Sequence, residues 1–422
     1  MRNLKILIWS LEKPDDDSLN RTFAALRTNY GVENIDVAGV VGEYTLSLEG
    51  RDLPNIPPNK LPEVAFDYIV VTVGGGYQAD PDLVATRKNL ADKLGLRSEQ
   101  LIFDFELCNG TFAFPKVCLV VIFNHRFDRN LPLLRKIYGA RFSAIRFLMP
   151  FYDGADADVI AVYESSHQFN GYLIQAYERL KDIPCTHFLF IGDDLIINPE
   201  FNEMNFVARM NMHGKKFLTT NISPLNSPNR FKWVWTKYSS GPFYSPITSW
   251  RESIYSYDEA LAKFNEFFGE PYRETYGADF FGAPNASDKD VFTLEDAKAL
   301  SGQIHRFILS NKNSLNIPYP MACGYSDIFC VERGSLFEFS RLCGIFSAMK
   351  VFVEIAIPTA AVLTYKRDDV TLCSENSRQV LWGGNKAHFM NKYGKDFNRL
   401  YNEWDAQIAY VHPVKLSIWK MD

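Results

Sequence analysis

Two adjacent carboxylates, Asp193 and Asp194, close the apolar run in "THFLFIGDDLIINP" at residues 186–199. A short apolar run bounded by Gly and Asn-Pro reads as a buried strand, which puts both acids at a strand end. Two like charges there are costly unless a cation or a donor-rich ligand compensates them. Hard divalent ions take carboxylate oxygens, and Mg2+ in particular is shared between one or two carboxylates and substrate phosphates. One reading of the pair is therefore a metal site that holds a diphosphate. The other is a turn or helix-capping pair ahead of "NPEFNEMNF", because Asp is a common cap. The dipeptide alone does not choose between them.

Other residues carry chemistry in the same two-sided way. "VFVEIAIPTA" places Glu354 as a lone carboxylate in an apolar segment, where burial raises a carboxyl pKa toward values useful to a general base; an ion-paired helix residue is the bland alternative. "AYVHPVKLS" puts His412 in a strand-like context late in the chain. Neutral imidazole is a common metal ligand, and a satisfied core histidine is the competing reading. "YPMACGYSDIFCV" (319–331) sets Gly324 and Asp327 in a polar turn between apolar runs. Trp233, Trp235 and Trp250 suit a sugar platform or a core, and "WGGNKAHFMNKYG" (382–394) suits a closing loop or a helix start.

The elements that position these residues alternate between strand and helix signals. "KILIWSL", "IDVAGVVG", "FDYIVVTVGGG" and "QLIFDF" read as strands, separated by the helices "LNRTFAALRTNYG" and "DPDLVATRKNLADKLG". That alternation implies a parallel, doubly wound, Rossmann-like sheet. Its first strand-to-helix turn, "SLEKPDDDSLN", has no glycine and several acids, so it does not cradle a pyrophosphate on backbone amides. The glycines at 74–76 signal only a tight turn. "CNGTFAFPK" (108–116) reads as a linker, after which "VCLVVIFN", "AIRFLMPFY", "DVIAVYES" and "THFLFIGDD" begin a second strand series. The expected fold is α/β in two domains, residues 1–112 and 113–422.

This second series resembles the nucleotide-sugar half of a GT-A glycosyltransferase of the bacterial surface-glycan type. The likeness lies in a first strand ending in "VIFNHR", two more strands, a helix, and an apolar strand ending in acids. That family ends its fourth strand in a D-x-D-type motif binding Mg2+ or Mn2+ against the sugar-nucleotide diphosphate. "FIGDDL" departs from it, with Gly192 where a first Asp would stand if Asp194 is the last. The resemblance implies Asp194 as metal ligand, Asp193 toward the metal or the ribose, and His412 as a further ligand. It also implies Gly324 in an acceptor-side loop with Asp327 among the catalytic acids, and Glu354 as catalytic base if the enzyme inverts. Asn124 and Arg126 after the first strand, and Tyr163 and Glu164 after the third, fall on the nucleotide side. The implied function is transfer of a sugar, UDP-linked by preference, to a glycan or lipid-linked acceptor in surface polysaccharide synthesis. The alternatives are a nucleotidyltransferase, disfavoured because "FNHRFDRNLP" lacks glycines, and a non-catalytic nucleotide- or glycan-binding scaffold.

Bulk properties bound this reading. The net charge of -5 argues against nucleic acid as the partner. Seven scattered cysteines without CxxC spacing read as reduced thiols in the cytosol, with no zinc site. "FSAMKVFVEIAIPTAAVL" (346–363) carries Lys350, Glu354 and Pro358, a poor membrane span and a good buried element. The expected setting is the cytoplasm or the inner face of the membrane, with enzymes of the same pathway as possible partners.

Overall fold

The computed structural model describes residues 2–11, 16–42, 45–48, 50–73, 80–225, 253–272, 275–277, 314–316, 319–381 and 384–421. Trp233, Trp235, Trp250, the glycines at 74–76 and the start of the 382–394 segment lie outside them. The chain divides into two units: residues 1–118, 134–144 and 197–214 form one, and residues 119–133, 145–196 and 215–422 the other. The expected boundary at 112/113 falls near the first break, and two later segments cluster with the first unit.

In the first unit, β1 (Asn3–Ser10) pairs in parallel with β2 (Asn34–Val41) and with β3 (Tyr68–Thr72), which pairs in parallel with β4 (Leu101–Phe103). Helix α1 (Asp16–Tyr30) joins β1 to β2, and α2 (Leu83–Leu94) precedes β4. Successive strand residues face opposite sides of a sheet, and the core divides accordingly. Leu4, Ile6 and Ile8 pack with Leu19, Phe23 and Leu26 of α1, whereas Leu7, Ile69 and Val71 pack with Leu90, Ala91 and Leu94 of α2. The strand order is β2-β1-β3-β4, a parallel sheet with a helix on each face. α2 starts where the Asp82 side chain accepts from Ala85 N–H and stops at Gly95 in the left-handed region, φ 66°. Asp67 is fully buried at the foot of β3, ion-paired with Arg209 and accepting from Lys5 N–H at 2.7 Å.

The second unit is built on a seven-stranded sheet. Its strands are β5 (Val117–Ile122), β6 (Ile145–Pro150), β7 (Val159–Val162), β8 (His187–Gly192), β9 (Phe217–Thr219), β10 (Ile328–Glu332) and β11 (Val370–Leu372). They lie in the order β11-β9-β10-β8-β5-β6-β7. β5, β6 and β7 are parallel, β10 runs antiparallel to both β8 and β9, and β9 is parallel to β11. From β5 the chain steps outward through β6 and β7, then returns to place β8 on the other side of β5. The direction of winding therefore reverses between β5 and β8, where open α/β sheets bind ligands beyond the strands' carboxyl ends.

Helix α3 (Asn130–Tyr138) follows β5, and α4 (Asn170–Leu180) follows β7 and packs against α5 (Leu336–Ala348). The apolar 346–363 segment belongs to two helices. α5 ends at Ala348, Lys350 takes a positive φ of 58°, and α6 (Val353–Thr364) starts afresh. Residues 355–363 of α6 are all buried, as an apolar helix inside a domain requires. Among the described residues no helix is long and apolar enough to cross a membrane. None of the seven cysteines is in a disulfide.

The Asp67–Arg209 pair yields a direct test of the first unit. Removing one partner of a buried ion pair strands the other charge and costs roughly 3–5 kcal/mol. Arg209→Ala is expected to lower unfolding stability by that amount in urea titrations, and adding Asp67→Asn is expected to recover most of it.

Candidate functional site

The Gly192-Asp193-Asp194 turn is pinned by the main chain on both sides. Gly192 N–H donates to the Asp327 carbonyl at 2.9 Å, Asp193 N–H to the Ile122 carbonyl at 2.9 Å, and Leu195 N–H back to Gly192 at 3.1 Å. Neither acid caps a helix, the next helical turn being Phe206–Arg209. The two carboxylates part company. Asp193 turns to the end of β5, accepting from Asn124 N–H and from Asn130 Nδ2 at 3.3 Å. Burial, and then the neighbouring Asp194 charge, push the Asp193 carboxyl up to about 7.

Asp194 turns the other way, to the chain's last strand. β12 (Arg378–Val380) and β13 (Tyr410–His412) pair in parallel. The Val414 N–H donates to the Asp194 carbonyl at 2.6 Å, and His412 Nε2 lies 3.1 Å from Asp194 Oδ1. His412 is only 4% exposed. Burial alone would push its imidazolium pKa down; the Asp194 hydrogen bond and the charges of Asp327, Asp194 and Glu354 outweigh this and raise it.

The 324–327 turn closes the same site. Asp327 stands just before β10, and burial holds its carboxyl above the usual range. Gly324 N–H donates to the Glu354 carbonyl at 2.9 Å. A Cβ on Gly324 would lie 2.0 Å from the Asn221 carbonyl oxygen, so only glycine fits this approach. Glu354 occupies the first turn of α6, half-buried, its field reaching His412. Asp193, Asp194, Asp327, Glu354, Gly324 and His412 are thus brought together from four separated stretches of chain.

The expected nucleotide-side residues divide. Asn124 joins the site through its main chain, on Asp193. Arg126 is already matched by Asp128 at 3.2 Å and Asp153 at 2.6 Å. Glu164 pairs with Lys350 at 2.9 Å and does not join the acids. Burial alone would raise the Glu164 carboxyl, and the Lys350 contact outweighs that to hold it low. Tyr163 is 65% exposed beyond β7, edge-on to the 61% exposed Phe151 beyond β6, with ring centroids 6.0 Å apart. Phe151 takes a positive φ of 54°, a conformation that costs a bulky side chain energy.

Two contributors carried no signal in sequence. Asn130 opens α3 and holds Asp193 from across the turn. Tyr325 lies within the glycine turn, and its hydroxyl is 2.5 Å from His412 Nδ1.

Among the described residues, no three His, Cys, Asp or Glu side chains are gathered tightly enough to enclose a metal ion. Asp194 and His412 do fit one edge of a coordination sphere, since ligands at right angles on Mg2+ stand about 3 Å apart. A Cβ on Gly192 would lie 3.4 Å from Asp194 Oδ1 and 3.9 Å from Asp327 Oδ1, so the missing side chain leaves room between those carboxylates. The donor set is hard oxygen with one imidazole, suited to Mg2+ or Mn2+ with water and phosphate oxygens completing the shell. No protein-family model matches the chain, and no curated protein matches it.

A pH dependence follows. With its carboxyl raised to about 7, folded Asp193 holds a proton between roughly pH 4 and 7 that the unfolded chain lacks. Its contribution is full at low pH and is lost as pH rises through 7, and raised His412 acts with the same sign above its ordinary value. In EDTA, stability is expected to fall with pH across this window. Asp193→Asn should flatten the slope by up to about 1.4 kcal/mol per pH unit; parallel wild-type and variant profiles in chemical denaturation would contradict the assignment.

Proposed function

We propose that the chain is a GT-A-like glycosyltransferase that moves a sugar from a nucleotide diphosphate donor, UDP-linked by preference, to a glycan or lipid-linked acceptor. The observation that carries this reading is the acid pair at the point of sheet reversal, with His412 set on Asp194 from the far end of the chain. A departing nucleoside diphosphate gathers negative charge, and a cluster of carboxylates is a place for it only when a cation lies between. Asp194 and His412 are the residues that would hold Mg2+ or Mn2+, which when bound neutralises the leaving diphosphate.

The chain's own groups take the remaining tasks. Asp193, held against Asn124, faces the nucleoside side, where a group titrating near 7 pairs with a ribose hydroxyl in either protonation state. The exposed Tyr163–Phe151 pair lies beyond neighbouring strands on that edge and suits base stacking. Glu354, in the first turn of α6, takes the proton of the acceptor hydroxyl as its oxygen bonds to the anomeric carbon and the bond to the diphosphate oxygen breaks. Catalysis here is placement of two reactants and stabilisation of a departing anion. A cytoplasmic role in surface polysaccharide synthesis follows from this donor and acceptor class, with the first unit engaging acceptor or a partner enzyme.

A nucleotidyltransferase would share the sheet and the acids. It calls for a glycine-rich basic loop after the first strand, and Asn124–Arg129 has no glycine. The test is a melting-temperature screen of nucleotide diphosphate sugars with Mn2+, with Mg2+ and with EDTA. A donor at 100 times its Kd stabilises by about 2.7 kcal/mol. A shift for one base that requires metal and disappears in Asp194→Ala is expected. An equal shift in EDTA would favour a binding scaffold, and no shift with any donor would sink the transferase reading.

A further inference from the structure

We infer that the chain holds a second ligand site, for a neutral saccharide, on the reverse side of the strand that carries His412. Successive strand residues face opposite sides. Tyr410 and His412 of β13 turn to Thr220 and Asp194. Val411 between them turns the other way and lines a cavity of about 400 Å3. Gln379, its register partner on β12, lines the same cavity. A further wall is α7 (Gly384–Tyr393), the helix formed by most of the 382–394 segment. Asn385, His388, Phe389 and Lys392 recur three and four residues apart, which puts them on one face of α7, and all four line the cavity. Trp404, Asp405 and Ile408, from the chain leading into β13, line it as well.

The lining matches a sugar ring, which has an apolar C–H face and a rim of hydroxyls. Cavities of this size with aromatic walls and a few placed polar groups are typical of small-ligand sites. Trp404 is half-buried, and its Nε1–H is already given to the Ile408 carbonyl at 2.7 Å. What it offers a ligand is therefore ring surface, on which the C–H face of a sugar packs. Gln379 and Asn385 each bring an amide that both donates and accepts, as a hydroxyl requires of its partner. Among the described residues neither amide has a hydrogen-bond partner. One lysine, Lys392, stands against one aspartate, Asp405, and no arginine lines the cavity. A phosphate or a nucleotide calls for an excess of Lys and Arg, so the balance favours a neutral sugar. Because Val411 and His412 face opposite ways, a sugar held here leaves the acid site open. The site stands whether or not the chain transfers sugar; under the transferase reading its occupant is the acceptor glycan, away from the reacting hydroxyl.

The experiment is saturation-transfer difference NMR of the full chain with neutral trisaccharides of glucose, galactose, mannose and N-acetylglucosamine. UDP and Mn2+ are added last, and melting temperatures are measured alongside. Transfer to the ring C–H protons of at least one trisaccharide is expected, and it should persist when UDP and Mn2+ are present. Trp404→Ala is expected to weaken that binding about 10-fold or more. Asn385→Ala, which removes one exposed amide, should weaken it roughly 2–10-fold. The second variant keeps the Trp404–Ile408 hydrogen bond, so it reads the site even where Trp404→Ala lowers the melting temperature. No transfer to any of the trisaccharides would overturn the inference. Binding displaced by UDP would put the sugar in the acid site, and binding unchanged in both variants would put it elsewhere; either result overturns the inference as well. None of these outcomes bears on the metal-dependent donor shift, which tests the transferase reading separately.

Discussion

The second unit depends on a conflict of charge. Asp194, Asp327 and Glu354 act on one buried imidazole while Asp193 stands beside Asp194, and burial opposes the ionisation of Asp193 and Asp327. A chain selected only for stability would place Lys or Arg beside these acids, or replace them with apolar residues. The conflict is instead held in place by the main chain. Gly192, Asp193 and Asp194 each spend a backbone group on a neighbouring segment, through the Asp327 carbonyl, the Ile122 carbonyl and the Val414 N–H. Such local disagreement inside an otherwise consistent fold is what a binding site for a cationic or donor-rich ligand requires.

Glycine has two distinct uses around this cluster. Gly324 is present because a carbonyl oxygen occupies the place of its side chain, which brings the turn against α6 and carries Glu354 toward His412. Gly192 is present where a side chain would enter the space between Asp194 and Asp327. The departure of "FIGDDL" from a two-acid motif thus has a structural counterpart. Asp327, delivered by the antiparallel neighbour β10, stands near the direction in which residue 192 would have pointed.

Much of the architecture was legible because its signals are local. Alternating apolar residues in "KILIWSL" divide between α1 and α2, and continuous apolar runs mark strands buried on both faces. The paired acids were legible as a strand end for the same reason. Contacts distant in sequence were not. Glu164 and Arg126 look available for a nucleotide in sequence, yet Glu164 is claimed by Lys350, 186 residues away. Arg126 is claimed by acids of its own loop and the next. The break between α5 and α6 at Lys350 was hidden because both helices are apolar and the junction carries no proline or glycine. Tyr325 was hidden because a tyrosine in an aromatic-rich chain signals nothing until its hydroxyl is seen on a histidine 87 residues on.

The most direct test of the account is anomalous diffraction at the manganese edge from crystals grown with UDP and Mn2+. A single strong peak is expected about 2.1–2.3 Å from an Asp194 oxygen and from His412 Nε2, with diphosphate oxygens completing the shell. A nucleotide bound without the ion, or an ion whose ligands include neither Asp194 nor His412, would contradict it.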